Sequence, residues 1–333
     1  MPKRAKTLAD AGEFEFIKSI RTMMPKDGGN IIRSVGDDCL VTESFENSLL
    51  LNTIDTFVEG IHFKQGYGTL TQIGQRCMAA SVSDIAAMSG NPVYSLVSLS
   101  LSPNMLYNDA INIFSGLQST AKLYGCPIVG GETTSSAGPI TITVTVIGKV
   151  ERDRVILRSG AITGESIYVT GYIGDAMAGL MAFERKESGF NNLKKKFLTP
   201  LALVTLSRAL NGLYHITSMI DISDGLSTDL ANISYESGCG AEIYEELLPL
   251  SNDFRRISKK FDIDMTSFAL SSGEDFELLF TTDDDTISDK FQLMNHRITR
   301  IGTITDSSKG IRIHCKNNNV EPVLPKGYEH FKS

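Results

Sequence analysis

The stretch Met219-Ile220-Asp221-Ile222-Ser223-Asp224-Gly225-Leu226 constrains this chain more than any other. An apolar run enters two carboxylates, a glycine follows, and residues 227–237 read as helix. A strand that runs through such a joint into a helix buries its apolar residues and carries Asp221 and Asp224 to the edge of a core. Carboxylates placed there are costly unless positive charge meets them. A hard cation does so well, because Mg2+ takes carboxylate oxygens and keeps positions for phosphate oxygens and water. The chain holds further elements of this kind: Gly36-Asp37-Asp38, Thr53-Ile54-Asp55, Ser83-Asp84, Gly130-Gly131-Glu132 and Gly273-Glu274-Asp275. So many acidic elements point to a metal–phosphate site rather than to a surface charge pattern.

Bulk properties narrow the class. With 333 residues, two domains are expected, since single cores stop growing near ~250–300 residues. A net charge of −7 argues against a nucleic-acid partner, which demands a basic face. Residues 1–10 are basic and polar without an apolar centre, so no secretory signal is expected. No apolar run approaches the ~20 residues of a membrane span. The five cysteines show no C-x-x-C pair, which fits a reducing cytoplasm and neither a disulfide frame nor a zinc site. Cys39 lies beside an acidic pair that raises a thiol pKa, so it reads as packing and not as a nucleophile.

Periodicity places the motifs. Residues 13–24 read as helix ending at Pro25, and 48–54 as a short buried strand. Residues 69–89 form the clearest helix, with Ile73, Cys77, Ala80, Ala87 and Met88 on one face and Asp84 in the middle of it. An unpaired carboxylate there must meet a cation, either a metal or Arg76 on the same side of the helix. Residues 92–101 read as strand, 108–124 as helix and 127–129 as a short strand entering Gly130-Gly131. In 140–150, Ile142, Val144 and Val146 alternate with Thr141, Thr143 and Thr145, as in a half-buried antiparallel strand. A polar break at 151–154 closes the first domain, residues 1–150, and 151–333 form the second. There the reading is strand 166–170, helix 175–184, a basic loop 187–196, a helix after Pro200, the strand into Asp221, strand 277–280, and closing strands 298–304 and 310–314. Lys194-Lys195-Lys196 reads as a solvated loop. Strand and helix mix without strict alternation, so the fold class is α+β, mixed α/β, in two domains.

Taken singly, the motifs have plain readings too. Gly36-Asp37-Asp38 is also an ordinary turn, and Thr53-Ile54-Asp55 a strand end. Gly130-Gly131 lets backbone amides approach a phosphate, or forms a hairpin turn. It is no Walker A loop, and no dinucleotide fingerprint opens a helix. Arg158 in Arg158-Ser159-Gly160-Ala161 is the cation best suited to phosphate, though a surface arginine is the commoner meaning. A lone histidine such as His62 is more often structural than catalytic.

The order of these pieces resembles the thiamine-monophosphate kinase family, within the superfamily that also holds aminoimidazole ribonucleotide synthetase and selenophosphate synthetase. The matching pieces include Gly12-Glu13-Phe14, Gly36-Asp37-Asp38-Cys39, Thr53-Ile54-Asp55-Thr56-Phe57-Val58-Glu59-Gly60-Ile61-His62-Phe63 and Ser83-Asp84-Ile85-Ala86-Ala87-Met88. They continue with Gly130-Gly131-Glu132-Thr133-Thr134, Arg158-Ser159-Gly160-Ala161, the Asp221–Leu226 motif, Ser272-Gly273-Glu274-Asp275-Phe276-Glu277-Leu278 and Gly327-Tyr328-Glu329-His330-Phe331. The His62 block and the closing Tyr328 block separate this kinase from its superfamily relatives.

The resemblance implies transfer of the γ-phosphoryl group of ATP to thiamine monophosphate, by direct in-line attack with several Mg2+ ions. It implies an N-terminal α/β domain that dimerises through its sheet, a C-terminal α+β domain, and ATP between them. It assigns Asp38, Asp55, Asp84, Asp221 and Asp224 to Mg2+, with Thr53 and Glu132 contributing oxygens. Arg158 and Ser223 match ATP contacts, beside the backbone of Gly130 and Gly131. Asp221, Asp224 and Arg158 carry the chemistry, and His62, Glu274 and Tyr328 hold the thiamine phosphate. Two positions depart from the family pattern: Glu132, where Asp or Asn is frequent, and Ile54, where Thr is frequent. The alternatives are another ATP-dependent synthetase of the superfamily, of the purine-biosynthesis type, and a non-catalytic nucleotide-binding subunit.

Overall fold

The computed structural model describes residues 30–33, 37–44 and 47–331. The helix expected over 13–24, the Gly12-Glu13-Phe14 motif and Gly36 lie outside these residues.

The chain builds two sheets. The first contains β1 (Ile31–Arg33), β2 (Leu40–Glu43), β3 (Ser48–Val58), β4 (Asn91–Leu101), β5 (Ile128–Ser135) and β6 (Thr141–Glu151) in the order β1-β2-β3-β6-β4-β5. Among the described residues of this sheet, only β4–β5 is parallel. Helices α1 (Leu70–Ala87) and α2 (Tyr107–Leu123) supply the helical layer of its core. The alternation seen in the sequence decides the faces. Ile142, Val144 and Val146 are fully buried against the helices, while the threonines of β6 stand on the other face. β3 extends past the expected strand to Val58, so Asp55 is a mid-strand residue and not a strand end. The reason is its partner, because β6 pairs with β3 along the whole length, from Ser48↔Glu151 to Val58↔Thr141.

The second sheet runs β14 (Val320–Pro322), β13 (Ile311–His314), β9 (Gly240–Tyr244), β12 (His296–Thr305), β7 (Ser166–Thr170), β10 (Leu278–Thr282), β8 (Ile216–Asp221), with β11 (Lys290–Leu293) on β12. α3 (Asp175–Glu184), α4 (Asn191–Leu198), α6 (Leu226–Ser237), α7 (Asn252–Phe261) and α8 (Met265–Ser271) pack on one face through Ala178, Leu193, Leu230, Phe254 and Ala269. α5 (Val204–Leu213) covers the other face, with Leu206 and Leu210 against Tyr168, Met219 and Phe280.

The expected basic loop over 187–196 is a correction. Its latter half is helix α4, anchored by the buried pair Leu193 and Phe197 at helical spacing. The lysine run concealed that pair. Helix α1 joins the two sheets. Thr69 caps it in a capping box with Gln72, and it touches β3, β6 and β4 on one side and α5 and β8 on the other. It is therefore buried nearly all round. Among the described residues, no helix is long and apolar enough to cross a membrane.

Candidate functional site

Three elements converge where α1 meets the C-terminal end of β8. β3 turns Thr53 and Asp55 inward, toward α1, because alternate strand residues share a face. α1 presents Ser83 and Asp84, and β8 ends at Asp221. The bend before β2 brings Asp37 and Asp38 to the same place. Oxygens of Asp38, Asp84 and Asp221 lie within 4.8 Å of one another.

The hydrogen bonds within this group are few. Thr53 donates its hydroxyl to Asp84. Ser83 Oγ donates to Asp221 Oδ2 at 2.6 Å. Arg158 grips Asp38 with two bonds, Nε to Oδ2 at 3.1 Å and Nη2 to Oδ1 at 3.0 Å. Its backbone N–H faces the Asp37 carboxylate at 3.3 Å, and Arg33 pairs with Asp37 from the other side. Burial pushes Asp84 well above the usual carboxylate range, and Asp55, Asp221 and Asp38 push it further. Burial and Asp38 raise Asp221 to about 8, against the pull of Ser83 and Arg158. Burial also raises Asp55, opposed by a bond from Ser81. Arg158 stays a cation, since Asp38 and Asp37 outweigh the cost of its burial.

The acids form one end of a cleft of about 850 Å³, bounded there by Asp55, Asp84, Asp221, Ser223 and Asp224. The other walls carry Phe57, Phe63, Tyr67, Met177, Phe197 and Phe276. His62, Glu274 and Tyr328 also line it. Residues 327–330 dock on the cleft's edge. Tyr328 N–H donates to Asp224 O at 2.9 Å, and Gly327 N–H to Thr228 Oγ1 at 3.0 Å. His330 then stands 5.2 Å, ring to ring, from His62. Val58 N–H donates to His62 Nδ1 at 3.0 Å, so the ring proton sits on Nε2. Burial, His330 and Arg76 depress this imidazole to about 4.

Asp38, Thr53, Asp55, Asp84, Asp221, Ser223, Asp224 and Arg158 are thus gathered at one end, with His62, Glu274 and Tyr328 along the walls. Gly130, Gly131 and Glu132 are not among them. They lie within β5, in neither the loop nor the hairpin turn expected. Gly131 is required by close approach, because a Cβ there would fall 1.8 Å from Val97 O. Glu132 is in register with Ser98 and, through it, Thr143, on the outer face of the sheet, opposite Asp55. Ile54 shares that outer face at 67% exposure, so the side chain at position 54 points away from the acids and only Thr53 reaches them.

Asp84 does not pair with Arg76. Arg76 turns to Glu274 and Phe197, which leaves Asp84 among acids. Sequence reasoning named Asp37 and Ser83 within their motifs without giving them a role, and it missed Asp229. Asp229 Oδ2 accepts from Gly225 N at 3.0 Å, bracing the turn that carries Asp224. An acid in the first turn of a helix is its readable signal.

Known proteins bear on this geometry. Residues 36–150 match AIR synthase related protein, N-terminal domain, and 163–315 match AIR synthase related protein, C-terminal domain. Thiamine-monophosphate kinase of Bacillus subtilis is 31% identical over 330 residues, covering 96% of this chain and 99% of that protein. Its counterpart in Haemophilus influenzae is 34% identical over 331 residues, covering 96% and 98%. A solved structure, AaThiL complexed with AMPPCP and TMP, superposes with a TM-score of 0.87 at 29% identity, covering 98% of this chain and 100% of that one.

Proposed function

This chain belongs to the thiamine-monophosphate kinase family, and we infer from that premise that it transfers the γ-phosphoryl group of ATP to thiamine monophosphate, giving thiamine diphosphate and ADP. The observation that carries the reading is the lining of the cleft, which combines crowded acids with apolar and aromatic side chains. A substrate with a phosphate at one end and an aromatic heterocycle at the other fits it.

The donor set suits Mg2+: hard oxygens, several of them carboxylates, gathered with less positive charge than they need. Asp38, Thr53, Asp55, Asp84, Asp221 and Asp224 are the residues that would hold it. When bound, the metal neutralises the charge on the phosphate being transferred. Asp38 orients the planar Arg158 guanidinium, which matches phosphate geometry. Ser223 lines the cleft between Asp221 and Asp224, where its hydroxyl serves the nucleotide. His62 is neutral at physiological pH and offers Nε2–H as a donor. Tyr328 offers a ring face to the cationic thiazolium. The nucleophile is a phosphate oxygen of the substrate, already ionised near pH 7, so no strong base is required. Cys39 supports direct attack over a covalent intermediate, because burial, Asp84 and Asp38 hold its thiol well above its usual range.

The outer face of the first sheet exposes Leu40, Ile54, Tyr94 and Leu96, and a second copy of the chain covers it in a homodimer. Glu132 stands on that face. A light-scattering mass of one chain at micromolar concentration would overturn this. The five unpaired cysteines support a cytoplasmic location. The activity is tested by coupling ADP release to a reporter, with and without thiamine monophosphate. Release that depends on thiamine monophosphate is expected, and release indifferent to it would sink the assignment.

A further inference from the structure

Arg76 is 3% exposed. Its guanidinium lies 4.1 Å from the centre of the Phe197 ring, donates to Phe197 O, and pairs with Glu274 through Oε2. Arg76 belongs to α1 of the first sheet, whereas Phe197 and Glu274 belong to the second half of the chain, so the contacts cross the joint between the two.

The backbone around Glu274 is already stitched down. Glu274 N–H donates to Ser223 O at 2.7 Å, and Phe276 N–H to Ile222 O at 2.9 Å. A Cβ on Gly273 would fall 2.2 Å from Ser223 O. These contacts place the main chain of the loop and leave the side-chain direction open. The Arg76 guanidinium supplies that direction, and taking one carboxylate oxygen leaves the other for a donor in the cleft. Arg76 and Asp84 lie eight residues apart on α1, about 12 Å along the axis. One rigid helix therefore carries a residue at the acid end of the cleft and the clamp on Glu274.

We propose that Arg76 is a positioning residue for the organic substrate: from across the joint it orients Glu274 toward the heterocyclic part of thiamine monophosphate. The proposal rests on the reading of this cleft as the thiamine phosphate site. It is tested by steady-state kinetics of Arg76→Met, Arg76→Lys, Glu274→Gln and the Arg76→Met/Glu274→Gln double variant, each first shown to melt cooperatively. Loss of the ion pair to Glu274 in Arg76→Met raises the KM for thiamine monophosphate about 10- to 100-fold. The KM for ATP and kcat stay within about twofold, because those interactions lie at the other end. Arg76→Lys, which keeps a cation but not the fork and the stacking, recovers part of the loss and remains informative should the methionine variant fail to fold. In the double variant the two effects do not multiply, since each removes the same interaction. Multiplying effects, equal losses for ATP and thiamine monophosphate, or no recovery with lysine where methionine is impaired would overturn the proposal. Glu274→Gln leaving the KM for thiamine monophosphate unchanged would overturn the cleft assignment as well, whereas an impaired Glu274→Gln beside a normal Arg76→Met defeats only the role of Arg76.

Discussion

Two buried groups of acids in this molecule contain the same residue types and differ in what neutralises them. The second group lies at the N-terminus of α3 and comprises Asp175, Asp275 and Glu277 around Lys196. Glu277 pairs with the Lys196 ammonium and accepts from Thr170 Oγ1 at 2.6 Å. Asp275 accepts from the backbone N–H groups of Gly174 and Ala176 at 2.5 and 2.9 Å, where the N-terminus of α3 favours negative charge. Burial raises Asp275 to about 7, but Lys196 and both amides pull against it. At Asp84, burial and three neighbouring aspartates all push upward, with only Thr53 opposing. Asp84 thus meets aspartates and a hydroxyl, whereas Asp275 meets an ammonium and two backbone amides. An acidic motif in sequence therefore does not say whether the fold brings a cation to it. Gly273-Glu274-Asp275 looks in sequence like the other acidic elements, yet Asp275 belongs to the self-neutralised group.

The comparison breaks first on metal. Chelation should abolish turnover, Mg2+ should restore it, and Asp224→Asn should lose on the order of 10²–10³ in kcat while keeping its fold. Full wild-type activity in EDTA would place both groups in the structural class. The next largest effect separates the groups by stability. Lys196→Met strands Glu277 and should cost about 2–4 kcal/mol in denaturant melts, less than a fully buried pair because 24% of the Lys196 side chain is exposed. Asp84→Ala relieves repulsion, so the metal-free protein should melt no earlier than wild type and should lose metal-dependent ATP binding. A marked loss of metal-free stability in Asp84→Ala would make that carboxylate structural after all.

At the other end of the cleft, Tyr328→Ala should raise the KM for thiamine monophosphate two- to thirtyfold, equivalent to ~0.5–2 kcal/mol of cation–π contact, and leave ATP unchanged. The reverse pattern would remove the C-terminal segment from the substrate pocket. The smallest effect concerns His62, whose pKa falls from 6.5 to about 4. Between those values the unfolded chain binds the proton and the folded one does not, so stability is lost as pH falls through that window. His62→Gln should lessen the drop in Tm between pH 7 and pH 5, and an unchanged slope would mean that the ring is not held neutral.

Much of the fold was legible because it is local. The capped period of α1, the alternation of β6 and the joint after β8 each lie within a dozen or so residues, and their spacing alone places the apolar face. The lengths of β3 and β5 were not legible, since a strand ends where its partner ends. The helix under Lys194-Lys195-Lys196 was hidden because only Leu193 and Phe197 face inward while the charges dominate the composition.

By itself the sequence determined where the acidic motifs fall along the chain, which face of its own element each occupies, and the ordered pieces that show the family. Tertiary structure decided what stands opposite each of those faces. Asp84 meets Thr53 from 31 residues away, and Ser83 meets Asp221 from 138. Arg76 goes to Glu274 instead of Asp84, and sheet register puts Glu132 on the face opposite Asp55. Periodicity is a property of one segment, whereas charge compensation depends on distances between segments. Two acids that read alike along the chain part company only when the fold supplies a lysine to one and leaves the other among aspartates.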